Sequence, residues 1–573
     1  MTEYVGIHPE GARALITAMN RARNLVSDSF LAELKQQLGV AQSDAVLEAQ
    51  ASYAVYQQYR TFLDTYTRDL QWRIEVITGS PGATVQGEMI YGNVEFANAK
   101  QAAEQGKKDC EEFTAIWEKA EQTGDYGPVF AYMDSHQKQL TDPEYAAAFL
   151  KALGKENLKN LLDKLTVLYA PEAYGLSPEQ LEAFKKGMGP LANAIKAAND
   201  PEINDYITAN CSFDALSALI ESADFSDDFV AAAIVTMAPH LSSSTTVNDW
   251  NSDRIMAILA GNPEVLARVL ADEKGAEMLL RESLMADPAY RDAITKALDK
   301  ALDQTTDSPT VLSQAWANVL KVGSQDYFQD IMAKDHDLAQ MLTDNFVPFL
   351  EYAGYLQVVA TGDTDLLKKM QPPGGPFLPK TVDPKTIADF LGAAVRHPDL
   401  AETLGKKAQE ISEKNGLYTY MKERGVDGVT GDPVFVQKLA TEFALTSLLL
   451  GAYQSADLDE LQDDQDRKAT YNALFGFTLG IFTGPAGTLG GSAIGTAAAP
   501  WIDKLAEAAA GKTKGVDPAK QMEAAKEAFM QQFGATLTEL GGGSLSEDQR
   551  NAIMELAVGK FESMYREAMM NQY

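Results

Sequence analysis

The feature that most constrains this chain is a helix-start signal that recurs along its length. A capping residue, a proline and an apolar-periodic run follow one another at eight places: Asp142-Pro143, Ser177-Pro178, Asp200-Pro201, Asn262-Pro263, Asp287-Pro288, Asp383-Pro384, Asp432-Pro433 and Asp517-Pro518. The cap oxygen accepts a hydrogen bond from the first turn, and proline suits the first helical position, where the missing N–H costs nothing. Alternating patterns bounded by Asn-Gly turns are not found. The sequence therefore predicts an all-α protein, built of several helical bundles led by an antiparallel helical hairpin.

Composition excludes several classes of function. The 573 residues carry 49 Lys and Arg against 81 Asp and Glu, a formal charge of −32. Such a surface repels phosphates, so nucleic acid is not expected as a partner. Two cysteines are too few for a disulfide framework or a multi-cysteine zinc module. Cys110 and Cys211 are either two reduced thiols or, as the alternative, one bridge.

The five histidines give no metal motif. They are scattered, with no pair at i and i+4 and no HExxH. His336 stands between two aspartates and His397 precedes a proline, positions that suit helix boundaries. No metal and no cofactor are predicted, and the histidines are expected to be surface or cap residues.

Clusters of glycine and proline, which interrupt helices and strands, suggest where the domains are divided. Glycine and proline concentrate in three stretches: 78–83, 371–379 and 541–544. The predicted domains are a hairpin over 1–80, a multi-helical body over 95–370, a bundle over 383–456 and a C-terminal helical domain over 457–573. The helical units between these stretches are loosely similar in sequence. Either the same helix-start pattern occurs in them independently, or they are divergent helical-hairpin repeats.

The first eighty residues have the pattern of a helical hairpin. Apolar residues step by three or four from Leu15 to Leu38, with Gly39 at the position of a C-terminal cap, and a second stripe runs from Val46 to Ile77. Two such helices should pack antiparallel and leave apolar surface that needs a partner. That partner is the rest of the chain, another protein or a second copy. The residues expected to form the contact are Leu15, Met19, Val26, Phe30, Tyr56, Leu63 and Leu70.

The opening His8-Pro9-Glu10-Gly-Ala-Arg-Ala-Leu15 resembles the WXG100 (ESAT-6-like) hairpins that begin substrates of actinobacterial type VII secretion. Leu38-Gly39 stands where that family has Trp-x-Gly. The resemblance implies export without a Sec signal, through a Tyr-x-x-x-Asp/Glu motif. Tyr91 to Glu95 matches this motif beyond the hairpin, and Tyr453 to Asp457 matches it far downstream. The N-terminus has no Sec or Tat pattern, so the expected location is type VII-like secretion or, alternatively, the cytoplasm.

A long uncharged run near the C-terminus allows two interpretations. Residues 469–502 include no charged side chain, and a Gly-Pro pair splits the run into halves of about 15 residues, short of the roughly 20 that span a bilayer. Small residues spaced by four let helix backbones approach closely. The run is either a buried hairpin inside a bundle or a glycine zipper that inserts into membranes. The glycines concerned are Gly476, Gly480, Gly484, Gly487, Gly491 and Gly495.

No motif identifies a catalytic residue. Gly511-Lys512-Thr513 follows an Ala-rich stretch and has Ala506 where a phosphate-binding loop needs glycine. The predicted function is a non-enzymatic, secreted or secretion-associated helical protein that acts by protein–protein contact. The alternatives are a pore-forming toxin that uses the glycine run, an intracellular helical scaffold, and an enzyme whose site is assembled from dispersed acids.

The membrane alternative makes a testable prediction. Six acidic residues lie within 457–466, directly before the glycine run. Acid pH would neutralise their charge and favour insertion, so purified protein should release dye from liposomes more strongly at acidic than at neutral pH. Absence of leakage at both pH values would eliminate this function.

Overall fold

A computed structural model describes most of the chain. The described residues are 3–24, 59, 62–63, 66–79, 83–96, 98–169, 178–241, 250–303, 309–368, 370, 372–424, 432–456, 470, 473–474, 526, 530, 534, 537 and 546–569. The fold is all-α, as the helix-start signals predict. Contacts divide the chain into two compact units. Unit 1 comprises Met1–His240 and Thr246–Asn251, and unit 2 comprises Leu241–Thr245 and Ser252–Tyr573.

Unit 1 consists of helices and one small sheet. Its helices are α1 (Pro9–Asn24), α2 (described over 66–78), α3 (Ala99–Thr123), α4 (Gly127–Ser135), α5 (Pro143–Leu153), α6 (Lys155–Tyr169), α7 (Pro178–Ala198), α8 (Pro201–Asn210), α9 (Phe213–Ser222) and α10 (Asp227–Met237). Short 3₁₀ turns lie at Gln139–Thr141 and Ala238–His240. The core forms where α5 packs against α3 and α7, and Phe113 and Phe149 there are fully buried.

The sheet was not predicted from the sequence. Strands β1 (Glu3–Ile7), β2 (Thr84–Gln86) and β3 (Met89–Val94) pair antiparallel in the order β1-β3-β2. Gly87 and Glu88 form the two-residue turn between β2 and β3, and Gly87 has the positive φ of 63° that favours glycine there. A strand therefore precedes α1, within the segment 1–80 where the sequence predicts only a helical hairpin. The strands are too short to give a clear alternating pattern, and β1 pairs with a strand more than 80 residues away.

Histidine 8 joins the sheet to the first helix. Its Nδ1 accepts a hydrogen bond from the Gly11 amide at 2.8 Å, and its Nε2 lies 2.7 Å from Glu88 Oε2 in the β2–β3 turn. The hydrogen bond to Glu88 raises the pKa of His8. The helix cap needs Nδ1 without a proton, so the Nε2–H tautomer satisfies both contacts.

Unit 2 is helical in every described element. Its helices are α11 (Trp250–Gly261), α12 (Pro263–Ala271), α13 (Glu273–Leu279), α14 (Glu282–Met285), α15 (Pro288–Ala301), α16 (Pro309–Gly323), α17 (Asp326–Lys334), α18 (His336–Phe346), α19 (Leu350–Ala360), α20 (Thr364–Leu367), α21 (Pro384–Val395), α22 (Pro398–Asn415), α23 (Leu417–Arg424), α24 (Pro433–Ser455) and α25 (Glu547–Met569). A 3₁₀ turn at Val347–Phe349 joins α18 to α19. The Pro/Gly stretch 371–379 lies within this unit.

An aromatic cluster and a central helix form the core of unit 2. Trp316 is fully buried, and its ring centroid lies 5.3–6.2 Å from those of Phe346, Phe349 and Phe390. Helix α24 packs against α19, α21, α22, α23 and α25. The core thus joins helices from both sides of the Pro/Gly stretch.

The structure confirms the predicted helix starts wherever it describes them. Asp142, Asp200, Asp287, Asp383 and Asp432 each accept a hydrogen bond from an amide of the first turn. Asn262 precedes a helix that begins at Pro263, but its side chain makes no such bond. Ser177 and the pair Asp517-Pro518 lie outside the described residues.

Helices α21 and α24 approach each other closely at Gly392. A Cβ atom at this position would lie 2.9–3.1 Å from Ser455 Cβ, the Ala452 carbonyl oxygen and the Ala456 amide nitrogen. The substitution Gly392→Ala should therefore force the helices apart and lower the free energy of unfolding by about 1–3 kcal/mol. Urea denaturation followed by circular dichroism measures this change.

Gly559→Ala is the matched control, since an added Cβ there meets nothing within 4 Å in the same unit. Alanine is the better helix former, so this variant should be unchanged or stabilised by about 1 kcal/mol. Equal effects of the two substitutions would contradict the close crossing.

Candidate interaction surface

Three aromatic side chains form an exposed stripe in the N-terminal segment. Residues 59, 62–63 and 66–78 are helical, and Tyr59, Phe62 and Tyr66 are 45%, 52% and 55% exposed. Their spacing of three and four residues puts them on one helix face. The ring centroids of Phe62 and Tyr66 lie 4.4 Å apart. These three residues are named the aromatic face.

Exposed apolar side chains concentrate in this part of the chain. Among the described residues, eight large apolar side chains are exposed, and five of them fall within the first 85 residues. Leu15 on α1 is 53% exposed and Val85 on β2 is 70% exposed. Clustered exposed apolar side chains mark interaction sites, whereas isolated ones need no explanation.

The opposite side of this helical segment packs against the rest of unit 1. Leu63, Ile74 and Ile77 are buried, with exposed fractions of 6% or less. The Arg73 guanidinium donates to Asp69 Oδ2 at 3.0 Å and to the Phe96 carbonyl at 3.4 Å. A buried apolar side and these polar contacts hold α2 in place while the aromatic face remains accessible.

A buried carboxyl group lies within electrostatic range of Arg73. Burial raises the pKa of Asp142 to about 6, although two amides of α5 and the Arg73 charge act in the opposite direction. Asp142 Oδ1 accepts hydrogen bonds from the Glu144 and Tyr145 amides at 3.0 and 3.1 Å. This residue is a helix cap and is not accessible to a partner.

The residues predicted to make the contact differ in their environments. Leu15 is exposed, Met19 and Leu70 are half-buried, and Leu63 is buried. Val26, Phe30 and Tyr56 lie outside the described residues. Tyr59 and Phe62 were missed, although their spacing relative to Tyr66 was visible in the sequence.

The candidate export motif lies on the sheet. Tyr91 belongs to β3 and pairs with Gly6, and an added Cβ at Gly6 would lie directly against the Tyr91 ring. Glu95 follows the strand and is half-buried. In the second match, Tyr453 is buried in α24 and Asp457 lies outside the described residues.

The glycine run lies almost wholly outside the described part of the chain. Gly476, Gly480, Gly484, Gly487, Gly491 and Gly495 are all outside it. Ala473 and Leu474, near the start of the run, are helical, and Leu474 is fully buried. Their carbonyl groups lie directly against Gly405 of α22.

One described helix, α24, is long and apolar enough to cross a bilayer, with a mean hydropathy of 1.3 over its most apolar window. That window is 67% buried. The helix also carries Glu442, which is 1% exposed and accepts a hydrogen bond from Asn415 Nδ2 at 2.6 Å. Burial among five helices is sufficient to explain its apolar composition.

Burial raises the pKa of Glu442 to about 7, against hydrogen bonds from Asn415 and Ser412 and the nearby charge of Lys438. The cysteines are likewise buried and free, and burial raises the pKa of Cys211 to about 12. No group of three or more His, Cys, Asp or Glu side chains suited to a metal occurs in the described ranges.

Glu442 should make unit 2 more stable in mild acid. Its folded pKa lies above the ordinary value of 4.5, so its stabilising contribution is complete below that value and is lost as the pH rises through about 7. Glu442→Gln should remove about 2–3 kcal/mol of the stability difference between pH 5 and pH 8. Urea denaturation at the two pH values measures it.

The control is Glu423→Gln, at an exposed position on α23. This variant should keep the pH dependence of the unmodified chain. If Glu442→Gln keeps it too, the buried carboxyl does not titrate in this range.

No family model, no curated protein and no solved structure matches this chain. Its function therefore has to be inferred from its own residues.

Proposed function

We propose that this chain is a non-enzymatic helical protein that acts by binding another protein through its N-terminal segment. The observation that carries the proposal is the aromatic face, Tyr59, Phe62 and Tyr66, exposed on a helix whose other side is buried. Apolar anchors at i, i+3 and i+7 are the pattern by which one helix docks against another. Aromatic side chains contribute most to such contacts, because they bury a large area with few rotatable bonds.

The partner is proposed to present an apolar helical surface with few acidic groups. The chain carries a formal charge of −32, which disfavours acidic partners at close range. A second copy of this chain would bring together two chains that each carry a formal charge of −32, so a different, less acidic protein is favoured.

We propose, from the resemblance of the N-terminal segment to WXG100 hairpins, that this contact serves secretion of the type VII class. Export would then require the N-terminal segment in its folded form, with the aromatic face available. The motif Tyr91 to Glu95 follows this segment in the chain and remains a predicted export signal.

Export tests the proposal directly. Replacing Tyr59, Phe62 and Tyr66 together by serine should reduce the amount of chain in the culture filtrate of an actinobacterial host by about tenfold or more, because interface anchors contribute most of the binding energy. Thermal stability should change little, since these side chains are exposed.

The control carries serine at Phe377 and Val434, which are 37% and 43% exposed on unit 2. It should be exported like the unmodified chain. Equal export of all three proteins would overturn the role of the aromatic face. Absence of the unmodified chain from the filtrate would overturn the secretion proposal, and the partner would then be sought inside the cell.

A further inference from the structure

Two histidines that are 61 residues apart in sequence come together in unit 2. His336 is the first residue of α18, and His397 immediately precedes α22. Their ring centroids lie 5.1 Å apart and the rings are nearly perpendicular, at 88°. His336 is exposed and His397 half-buried, so an ion could reach the pair from solvent.

Each imidazole is held by an oxygen acceptor through the same ring atom. His336 Nε2 lies 2.8 Å from Asp399 Oδ2, and His397 Nε2 lies 2.8 Å from the Met332 carbonyl oxygen. A carboxylate and a carbonyl can only accept, so both Nε2 atoms carry the proton. Both Nδ1 atoms therefore present a lone pair, and neither has a partner in the described structure.

Each histidine by itself has the hydrogen-bonding pattern of a metal-binding histidine. Such a residue almost always donates its second ring N–H to a carboxylate or a backbone carbonyl, which fixes the tautomer and increases ligand basicity. His397 makes no helix-capping bond with its side chain, so its Nδ1 is not used by the start of α22.

The separation of the rings also fits one shared ion. Two imidazoles bound through nitrogen to a tetrahedral zinc ion at about 2.0–2.1 Å place their ring centroids about 5 Å apart. The observed separation is 5.1 Å. Asp399 and Asp335 add negative charge beside the rings, although Arg291 pairs with Asp335.

We propose that His336 and His397 bind one divalent transition-metal ion of the zinc and copper class, each through Nδ1. Imidazole nitrogen suits these ions, whereas calcium and magnesium prefer oxygen. Two protein ligands leave further positions on the ion for water or for a group on another molecule. The site is independent of the aromatic face, which belongs to unit 1.

Calorimetric titration with zinc chloride and with copper(II) chloride tests the site. The full chain is used without a histidine tag, after chelator treatment, in excess calcium to occupy surface carboxylates. One ion should bind per chain, with a single-site isotherm. His336→Gln and His397→Gln should each weaken binding by about tenfold or more.

His240→Gln is the control, because this histidine is exposed on unit 1 and should not affect binding. Circular dichroism checks that each variant is folded, and His336→Gln alters an exposed side chain. Electron paramagnetic resonance of the copper complex should show coupling to two nitrogens in the unmodified chain and to one in either variant. Absence of one-site binding, or affinity unchanged in both histidine variants, would overturn the proposal.

Discussion

Unit 2 depends on the enclosure of helix α24 by five other helices. Enclosure requires close backbone approach, which Gly392 permits on α21. Polar contacts then fix the crossing: Ser455 donates to Asp389 at 2.6 Å, and Arg396 donates to the Ala456 carbonyl at 2.8 Å. The same enclosure explains both the high hydropathy of α24 and the raised pKa of Glu442.

Local signals in the sequence predicted the helices well, because a cap and a proline act within one turn. Asp142 and Asp432 cap helices as expected, and the all-α class follows from many such starts. Contacts between distant residues were not predictable in this way. The pairing of β1 with β3 and the meeting of His336 with His397 both depend on tertiary packing, for which a single sequence carries no local pattern.

The candidate interaction surface was predictable only in part. Periodicity identifies an apolar stripe, but it does not show which side of a helix packs against other elements of the same chain and which side remains exposed. Leu63 was expected to pack against the rest of the chain or against a partner, and it is buried, whereas its neighbour Phe62 is exposed. The positions of the other elements of unit 1 determine which side of the helix is buried. The hydrogen bond from Arg73 to the Phe96 carbonyl is one of the contacts that fix this side.

The pairing of β1 with β3 has a mechanical consequence for the N-terminal segment. Glu3 lies opposite Val94 and Ile7 opposite Ile90, so the segment between β1 and β3 begins and ends at neighbouring positions. A force on the aromatic face would reach the β1–β3 ladder at its Ile7–Ile90 end, so the backbone hydrogen bonds would bear the load one after another from that end. The Ile7–Ile90 pair is therefore the point at which tension on the intervening residues would begin to separate the sheet.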